Sequence, residues 1–129
     1  MIHEGICTYE VCKLAKEKGF PQYDVDFFYE WDGLRNIHSL CNYNWYRESP
    51  YPQNFSAAPT QSLLQRWLRE EKKVEVYVRH FEETNKYPHH FGTIITGDKG
   101  ETLEIGEKMF DTYELALEDA LKYALENLV

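Results

Sequence analysis

The sequence predicts an α+β fold in which three helices pack on one face of a mainly antiparallel sheet of three to five strands. Two observations predict this class. Apolar residues recur with a helical period in some segments and with a period of two in others, in the order α-ββ-α-βββ-α. The consecutive strands are joined by short turns, which favour antiparallel pairing. Since 129 residues suit one domain, we expect residues 1–129 to form a single domain.

The first part of the chain predicts a helix followed by a hairpin. Thr8 is the expected N-cap of a helix over residues 9–18, and Gly19 is expected to end it in a left-handed conformation. Apolar side chains alternate over residues 23–31, which indicates a strand. A tight turn at Asp32-Gly33 then leads into a return segment, which we interpret as a strand although its spacing also fits a helix.

Residues 42–58 are predicted to form a long loop, because Asn, Tyr, Trp, Ser and Pro replace any regular period there. Long connections in small domains are often functional. Four aromatic side chains of this loop are candidate binding residues: Tyr43, Trp45, Tyr46 and Tyr51. Two interpretations stay open, since the rings either fold back onto the core or form a surface for a protein partner.

The next segment predicts a helix and a three-stranded meander. Pro59 is expected to open the helix, and its apolar stripe consists of Leu63, Leu64, Trp67 and Leu68. Valines alternate with polar residues over about 73–82, which predicts the first strand of the meander. Two further strands are expected at 89–96 and from Leu103 onward.

A terminal helix is predicted to begin at a capping box formed by Asp111 and Glu114. Its apolar residues recur with a helical period. They are Tyr113, Leu117, Leu121, Ala124 and Leu128.

The charge of the chain argues against a nucleic-acid partner. A net charge of −8 and a pI near 5.1 repel the phosphate backbone. Residues 60–80 nevertheless carry a net charge of +2, and Arg66, Arg69 and Lys73 on that helix are candidate binding residues. Arg69 and Lys73 form a mildly repulsive i,i+4 pair that an acidic partner would relieve, although such a face is also commonly just solvated.

No motif indicates catalysis, a cofactor or a metal. The chain lacks the signatures of nucleophilic hydrolases, nucleotide-binding loops and zinc proteases. His80, His89 and His90 could come together across a hairpin, but no further ligand stands at a recognisable spacing from them. The three cysteines lack CxxC spacing and are expected to be reduced thiols. We therefore predict no catalytic residue, no metal and no cofactor, with an enzyme of unrecognised class as a third alternative.

The start of the chain has no secretory pattern, and no apolar run is long enough to cross a bilayer. These observations predict a cytoplasmic protein without a membrane partner.

Three segments resemble a family of small uncharacterised proteins encoded by gut-bacterial phages, prophages and mobile elements. They are residues 58–70 (APTQSLLQRWLRE), 14–20 (LAKEKGF) and 112–118 (TYELALE). The resemblance implies a phage-related setting and assigns no functional residue. The order helix, three strands, helix over 60–128 is also similar to a double-stranded RNA-binding domain. That domain places a basic cluster where this chain has Asp111-Thr112-Tyr113-Glu114, so the similarity implies an architecture without RNA binding.

These observations favour a small non-enzymatic interaction protein that binds a protein partner through the aromatic loop and the basic helix face. The alternative is a nucleic-acid-associated accessory protein that uses the basic face at 66–73. An exposed strand edge of the meander would also allow a homodimer.

Overall fold

A computed structural model of the chain describes residues 5–22, 25, 27–30, 33–36, 55–81 and 91–129. These residues contain three helices and six strands, which confirms the α+β class and adds one strand before the second helix. The strands form two antiparallel sheets of three strands each, whereas the sequence suggested one sheet. The chain divides into two compact units, Met1–Thr60 and Gln61–Val129. Each unit is described by itself, and the expectation of a single domain stays a prediction.

The first unit contains helix α1 (Tyr9–Glu17), which begins at the predicted residue and ends one residue before the predicted Lys18. The Thr8 hydroxyl accepts a hydrogen bond from the Val11 amide at 3.4 Å, as an N-cap should. Gly19 has a φ of 98°, a left-handed conformation that a residue without a Cβ adopts at low cost. The buried side of α1 consists of Val11, Cys12 and Ala15.

The first sheet has the strand order β2-β1-β3. Its strands are β1 (Phe27–Glu30), β2 (Gly33–Asn36) and β3 (Phe55–Ala57). Glu30 pairs with Gly33, which confirms the predicted hairpin and places Gly33 inside β2. Phe28 pairs with Ala57 and is only 1% exposed. Strand β3 lies at the end of the segment that was predicted to be a loop. The sequence did not indicate this strand, because its pairing with β1 is a long-range contact that no local period signals.

Helix α1 contacts β3, and two hydrogen bonds tie the segment before α1 to the rest of this unit. The Cys7 amide donates to the Pro59 carbonyl at 3.0 Å. The Tyr29 hydroxyl donates to the Cys7 carbonyl at 2.8 Å. Both main-chain polar groups of the buried Cys7 therefore have partners, as buried polar groups require.

The second unit consists of a three-stranded sheet, in the order β4-β5-β6, and two helices. The elements are α2 (Gln61–Glu71), β4 (Val74–His80), β5 (Phe91–Gly97), β6 (Thr102–Ile105) and α3 (Tyr113–Asn127). Helix α2 contacts β4 and α3, and helix α3 contacts β4 and β5. The side chains of Val74, Val76 and Ile95 are buried on the helix side of the sheet. The layered arrangement of helices on an antiparallel sheet is thus present within this unit.

Helix α2 buries a narrower stripe than the sequence predicted. Leu64 and Leu68 are fully buried, but Leu63 is exposed. The buried face includes Gln61, whose side-chain amide donates to the Glu114 carbonyl at 2.9 Å and to Glu118 Oε2 at 2.8 Å. Burying this amide is tolerated because α3 supplies both acceptors. Pro59, the expected first helical residue, instead precedes the helix.

Helix α3 starts one residue later than the predicted capping box requires. Its N-cap is Thr112, whose hydroxyl accepts a hydrogen bond from the Leu115 amide at 3.1 Å. The proposed role of Asp111 as N-cap was therefore wrong, since the extended Thr112 already satisfies an unpaired amide of the first turn. The predicted apolar seam is correct at Leu117, Leu121 and Ala124, but Tyr113 is exposed. The buried face of α3 is wider than predicted, because it also includes Ala116, Ala120 and Leu125.

Candidate functional site

The predicted aromatic binding residues lie outside the described part of the chain. This applies to Tyr43, Trp45, Tyr46 and Tyr51, so their role as a binding surface stays a prediction. His89 and His90 also lie outside it, whereas His80 is exposed at the end of β4 with its ring 5.1 Å from that of Phe91. Among the described residues, no group of three or more His, Cys, Asp or Glu side chains could hold a metal ion.

Both arginines of the predicted basic face have a carboxylate partner. Arg66 Nε lies 3.0 Å from Glu70 Oε1, and Arg69 NH1 lies 3.4 Å from Glu75 Oε1. Lys73 does not continue this helical face, because α2 ends at Glu71 and Lys73 has a φ of 58°. The expected helical i,i+4 arrangement of Arg69 and Lys73 was therefore wrong. Arg66 and Glu70 stand at the i,i+4 spacing that favours such a pair, whereas the Arg69–Glu75 pair joins α2 to β4.

The second sheet presents a face that the helices of its unit do not cover. Successive side chains of a strand point to opposite faces, so Tyr77 points away from the helix side on which Val76 is buried. Tyr77 pairs with Ile94, and Ile94 pairs with Ile105. We call these three neighbouring side chains, Tyr77, Ile94 and Ile105, the apolar row.

The apolar row is largely accessible to solvent at both ends. Tyr77 is 48% exposed and Ile105 is 61% exposed, while Ile94 between them is half-buried. Single exposed apolar residues are ordinary, but two exposed apolar side chains joined by a half-buried one across a sheet form a contiguous patch. Sequence reasoning missed this site. The available signal was the pair Ile94-Ile95, because two adjacent isoleucines in a strand place one apolar side chain on each face.

A depression of about 230 Å³ lies at one end of the apolar row. Its lining includes the row's Tyr77, the positively charged Arg69 and Lys73, and the negatively charged Glu75 and Asp98. Arg69 reaches this face through its ion pair with Glu75, while Lys73 has no ion pair among the described residues. The depression therefore combines an aromatic ring, two carboxylates and an ammonium group, that of Lys73, for which the described residues supply no ion pair.

Another cation, Arg79, lies near the opposite end of β4. Arg79 pairs with Gly92 of β5. The Phe81 ring lies directly over Gly92, since a Cβ atom built on this glycine would lie only 2.9 Å from Phe81 Cε2. The Phe81 ring therefore covers Gly92 on the same face of the sheet, and the Arg79 guanidinium lies 5.0 Å from the centre of that ring. A cation at this distance from an aromatic face is stabilised by the ring quadrupole and keeps its charge available.

The helix side of the second unit is negatively charged, in contrast to the open face of the sheet. Helix α3 carries four acidic residues and one lysine, which makes it strongly acidic on the surface it exposes. The open face of the sheet instead carries Arg79 on β4 and Lys73 just before it, and Arg69 of α2 lies at its border, where Glu75 pairs with Arg69 and Asp98 lies nearby. The open face is thus a local apolar and cationic surface in a protein of net charge −8.

A cleft of about 330 Å³ lies on the helix side of the sheet, between β6 and α3. The Tyr123 hydroxyl spans it and donates a hydrogen bond to Glu104 Oε2 at 2.9 Å. That hydrogen bond, together with partial desolvation and the negative charge of Glu104, raises the pKa of Tyr123 above its ordinary value of 10.0. The cleft has acidic walls, which include Glu107 and Asp119.

We expect Glu104→Gln to lower the pKa of Tyr123 towards its ordinary value, because the substitution removes both the carboxylate acceptor and its charge. A raised pKa of Tyr123 in the folded state stabilises the fold. This stabilisation is fully present below about pH 10, the pKa of tyrosine in the unfolded chain, and is lost as the pH rises through the pKa of folded Tyr123. An NMR titration of ¹³Cζ-labelled tyrosine, assigned with Tyr123→Phe, measures this pKa. Glu107→Gln is the control, and an unchanged Tyr123 titration in Glu104→Gln would contradict the expectation.

Comparisons with known proteins gave no match: no family model fits the chain, and no curated protein or solved structure is similar to it. Within the described ranges, no helix has the length and apolar character needed to cross a membrane.

Proposed function

We propose that this protein is a small non-enzymatic interaction protein that binds a protein partner through the open face of its second sheet. The observation that supports the proposal is the exposure of Tyr77 and Ile105 on either side of Ile94. Leaving adjacent apolar side chains in water forgoes about 25 cal/mol for every Å² that a partner could bury. Tyrosine is also enriched among the residues that dominate interface energies.

The proposal also includes two predictions from the sequence. The aromatic residues at 43, 45, 46 and 51 are expected to add to the contact with the partner. A phage-related setting follows from the family resemblance. Replacing Trp45 and Tyr46 with Ala tests the first of these, since an unchanged affinity in a folded variant would exclude this segment from the interface.

The test of the open face is affinity capture from cells that naturally express the chain. Tagged wild type is compared with the double variant Tyr77→Ser, Ile105→Ser and with the control Leu115→Ser, which alters an apolar side chain that is 55% exposed on α3. A partner should be captured by wild type and by the control and lost from the double variant. Equal capture by all three proteins, with unchanged circular dichroism, would refute the proposed surface.

Nucleic-acid association is the alternative that the same preparations test. It would depend on Arg66, Arg69 and Lys73, of which both arginines are paired with carboxylates. Counterion release predicts an affinity that falls steeply with salt concentration. Absence of binding to duplex and single-stranded oligonucleotides at about 50 mM salt would exclude this alternative.

A further inference from the structure

We propose that the open face of the second sheet binds an extended partner segment with an apolar centre and a carboxylate near each end. This inference rests on the proposed function and names the chemistry of the partner. The apolar centre would cover the apolar row, and the carboxylates would pair with Lys73 and Arg79.

The charges of Lys73 and Arg79 favour an acidic partner. Neither Lys73 nor Arg79 forms an ion pair with any described residue, in contrast to Arg66 and Arg69. A partner that covers the apolar row also removes water from the neighbouring β4 side chains. Removing water from an unpaired cation is costly unless the partner supplies an opposite charge. The best partner therefore carries carboxylates at these positions.

The spacing of Lys73 and Arg79 along the chain matches an extended partner segment. Lys73 immediately precedes β4 and Arg79 lies near its end, six positions later. With a rise of about 3.3 Å per residue, the two backbone positions are about 20 Å apart. Tyr77 lies between them on the same strand. An extended segment of about seven residues spans the same distance, so its carboxylates would flank the side chains that contact the row.

A pocket lies beside Lys73. This depression of about 230 Å³ is lined by Lys73, Tyr77 and Thr96, and its lining also includes the carboxylates of Glu75, which pairs with Arg69, and of Asp98. It is large enough for a short acidic side chain, and the Lys73 ammonium is the charge that would hold a carboxylate there. Arg69 contributes less, because Glu75 already neutralises it.

Two other occupants fit these observations less well. A second copy related by a twofold axis would place the same face against itself and bring the cations of one copy, Lys73 and Arg79, towards those of the other. A nucleic acid would satisfy the cations, but Ile94 and Ile105 offer no aromatic ring for bases to stack on, which leaves Tyr77 alone in the row. A protein segment uses both the aliphatic and the cationic groups.

The test uses fluorescence anisotropy with two synthetic probes. One is a fluorescein-labelled peptide with aspartates flanking a central run of alternating valine and threonine, and the other has asparagine in place of each aspartate. The acidic peptide should bind about tenfold more tightly than the neutral one. The double variant Lys73→Gln, Arg79→Gln should remove this difference. The control is the double variant Lys108→Gln, Lys122→Gln. It removes the same amount of positive charge from the helix-side cleft and from α3, and the difference in affinity between the two peptides should remain.

Several outcomes would overturn the inference. They are absence of binding of the acidic peptide at about 1 mM, equal affinity for the two peptides, and an acidic-peptide affinity that Lys73→Gln, Arg79→Gln leaves unchanged. Tighter binding of a single-stranded oligonucleotide would assign the face to nucleic acid. A dimer in sedimentation experiments that Tyr77→Ser, Ile105→Ser dissociates would assign it to a second copy.

The peptide experiment and the capture experiment can fail separately. If the captured partner is lost from the Tyr77→Ser, Ile105→Ser variant but the two peptides bind equally, the protein-binding function stands and only the acidic chemistry is wrong. If capture does not depend on the apolar row, the proposed function itself fails. All four substituted residues of these two double variants are exposed, so circular dichroism should confirm that both variants fold.

Discussion

Replacing Leu121 with Ala is expected to lower the free energy of unfolding by about 2–5 kcal/mol. Leu121 is 0% exposed, and its helix contacts both β4 and β5. The substitution removes buried methyl groups and leaves a cavity between α3 and the sheet, because the surrounding side chains relax only partly. Urea denaturation followed by far-ultraviolet circular dichroism measures the change as a shift in the midpoint at an unchanged slope.

The matched control is Leu115→Ala on the same helix. Leu115 is 55% exposed, so the same chemical change should alter the free energy of unfolding by less than about 0.5 kcal/mol. Similar losses in the two variants would mean that α3 does not bury the Leu121 side of the helix. The assignment of the open face to the other side of the sheet depends on this packing.

Phe28→Ala is expected to destabilise the first unit by about 3–5 kcal/mol. Phe28 is 1% exposed in the central strand of the sheet, where it pairs with Arg35 on β2 and with Ala57 on β3. Loss of the ring leaves a large cavity at the centre of the sheet. Amide hydrogen exchange at β1 should therefore become faster, because opening of the strand costs less free energy.

Lys13→Ala is the control for this experiment. Lys13 is exposed on α1, and alanine favours a helix at least as well as lysine does. Exchange at β1 should remain as in wild type. If Phe28→Ala also left exchange at β1 unchanged, the described β1–β3 pairing would not be the arrangement that protects this strand.

The apolar row shows why the candidate site was harder to predict than the elements that carry it. The alternation of Val74, Val76 and Val78 predicted β4 correctly. It also implied that Tyr77 points away from the buried side. It could not show that Ile94 and Ile105 lie beside Tyr77, since this follows from the pairing register of three strands. The patch exists only once that register is set.

The pairing of the basic residues could also not be predicted fully from the sequence. The sequence identified residues 60–80 as locally basic and grouped Arg66, Arg69 and Lys73 on one helix face. The ion pair of Arg69 with Glu75 depends on how α2 meets β4, and Lys73 leaves the helical face because the helix ends at Glu71. Arg79 was not selected from the sequence, because its position relative to the row depends on the sheet.

The amino-acid sequence by itself determined the α+β class and much of the local structure, such as the Thr8 cap, the Gly19 terminus and the alternation in β4. These features depend on side chains within a few residues of one another. Only the tertiary structure decided that the strands form two sheets, that residues 55–57 pair with β1, and that an apolar row forms on β4, β5 and β6. The physical reason is that strand pairing joins residues far apart in the chain, whose partners no local pattern specifies.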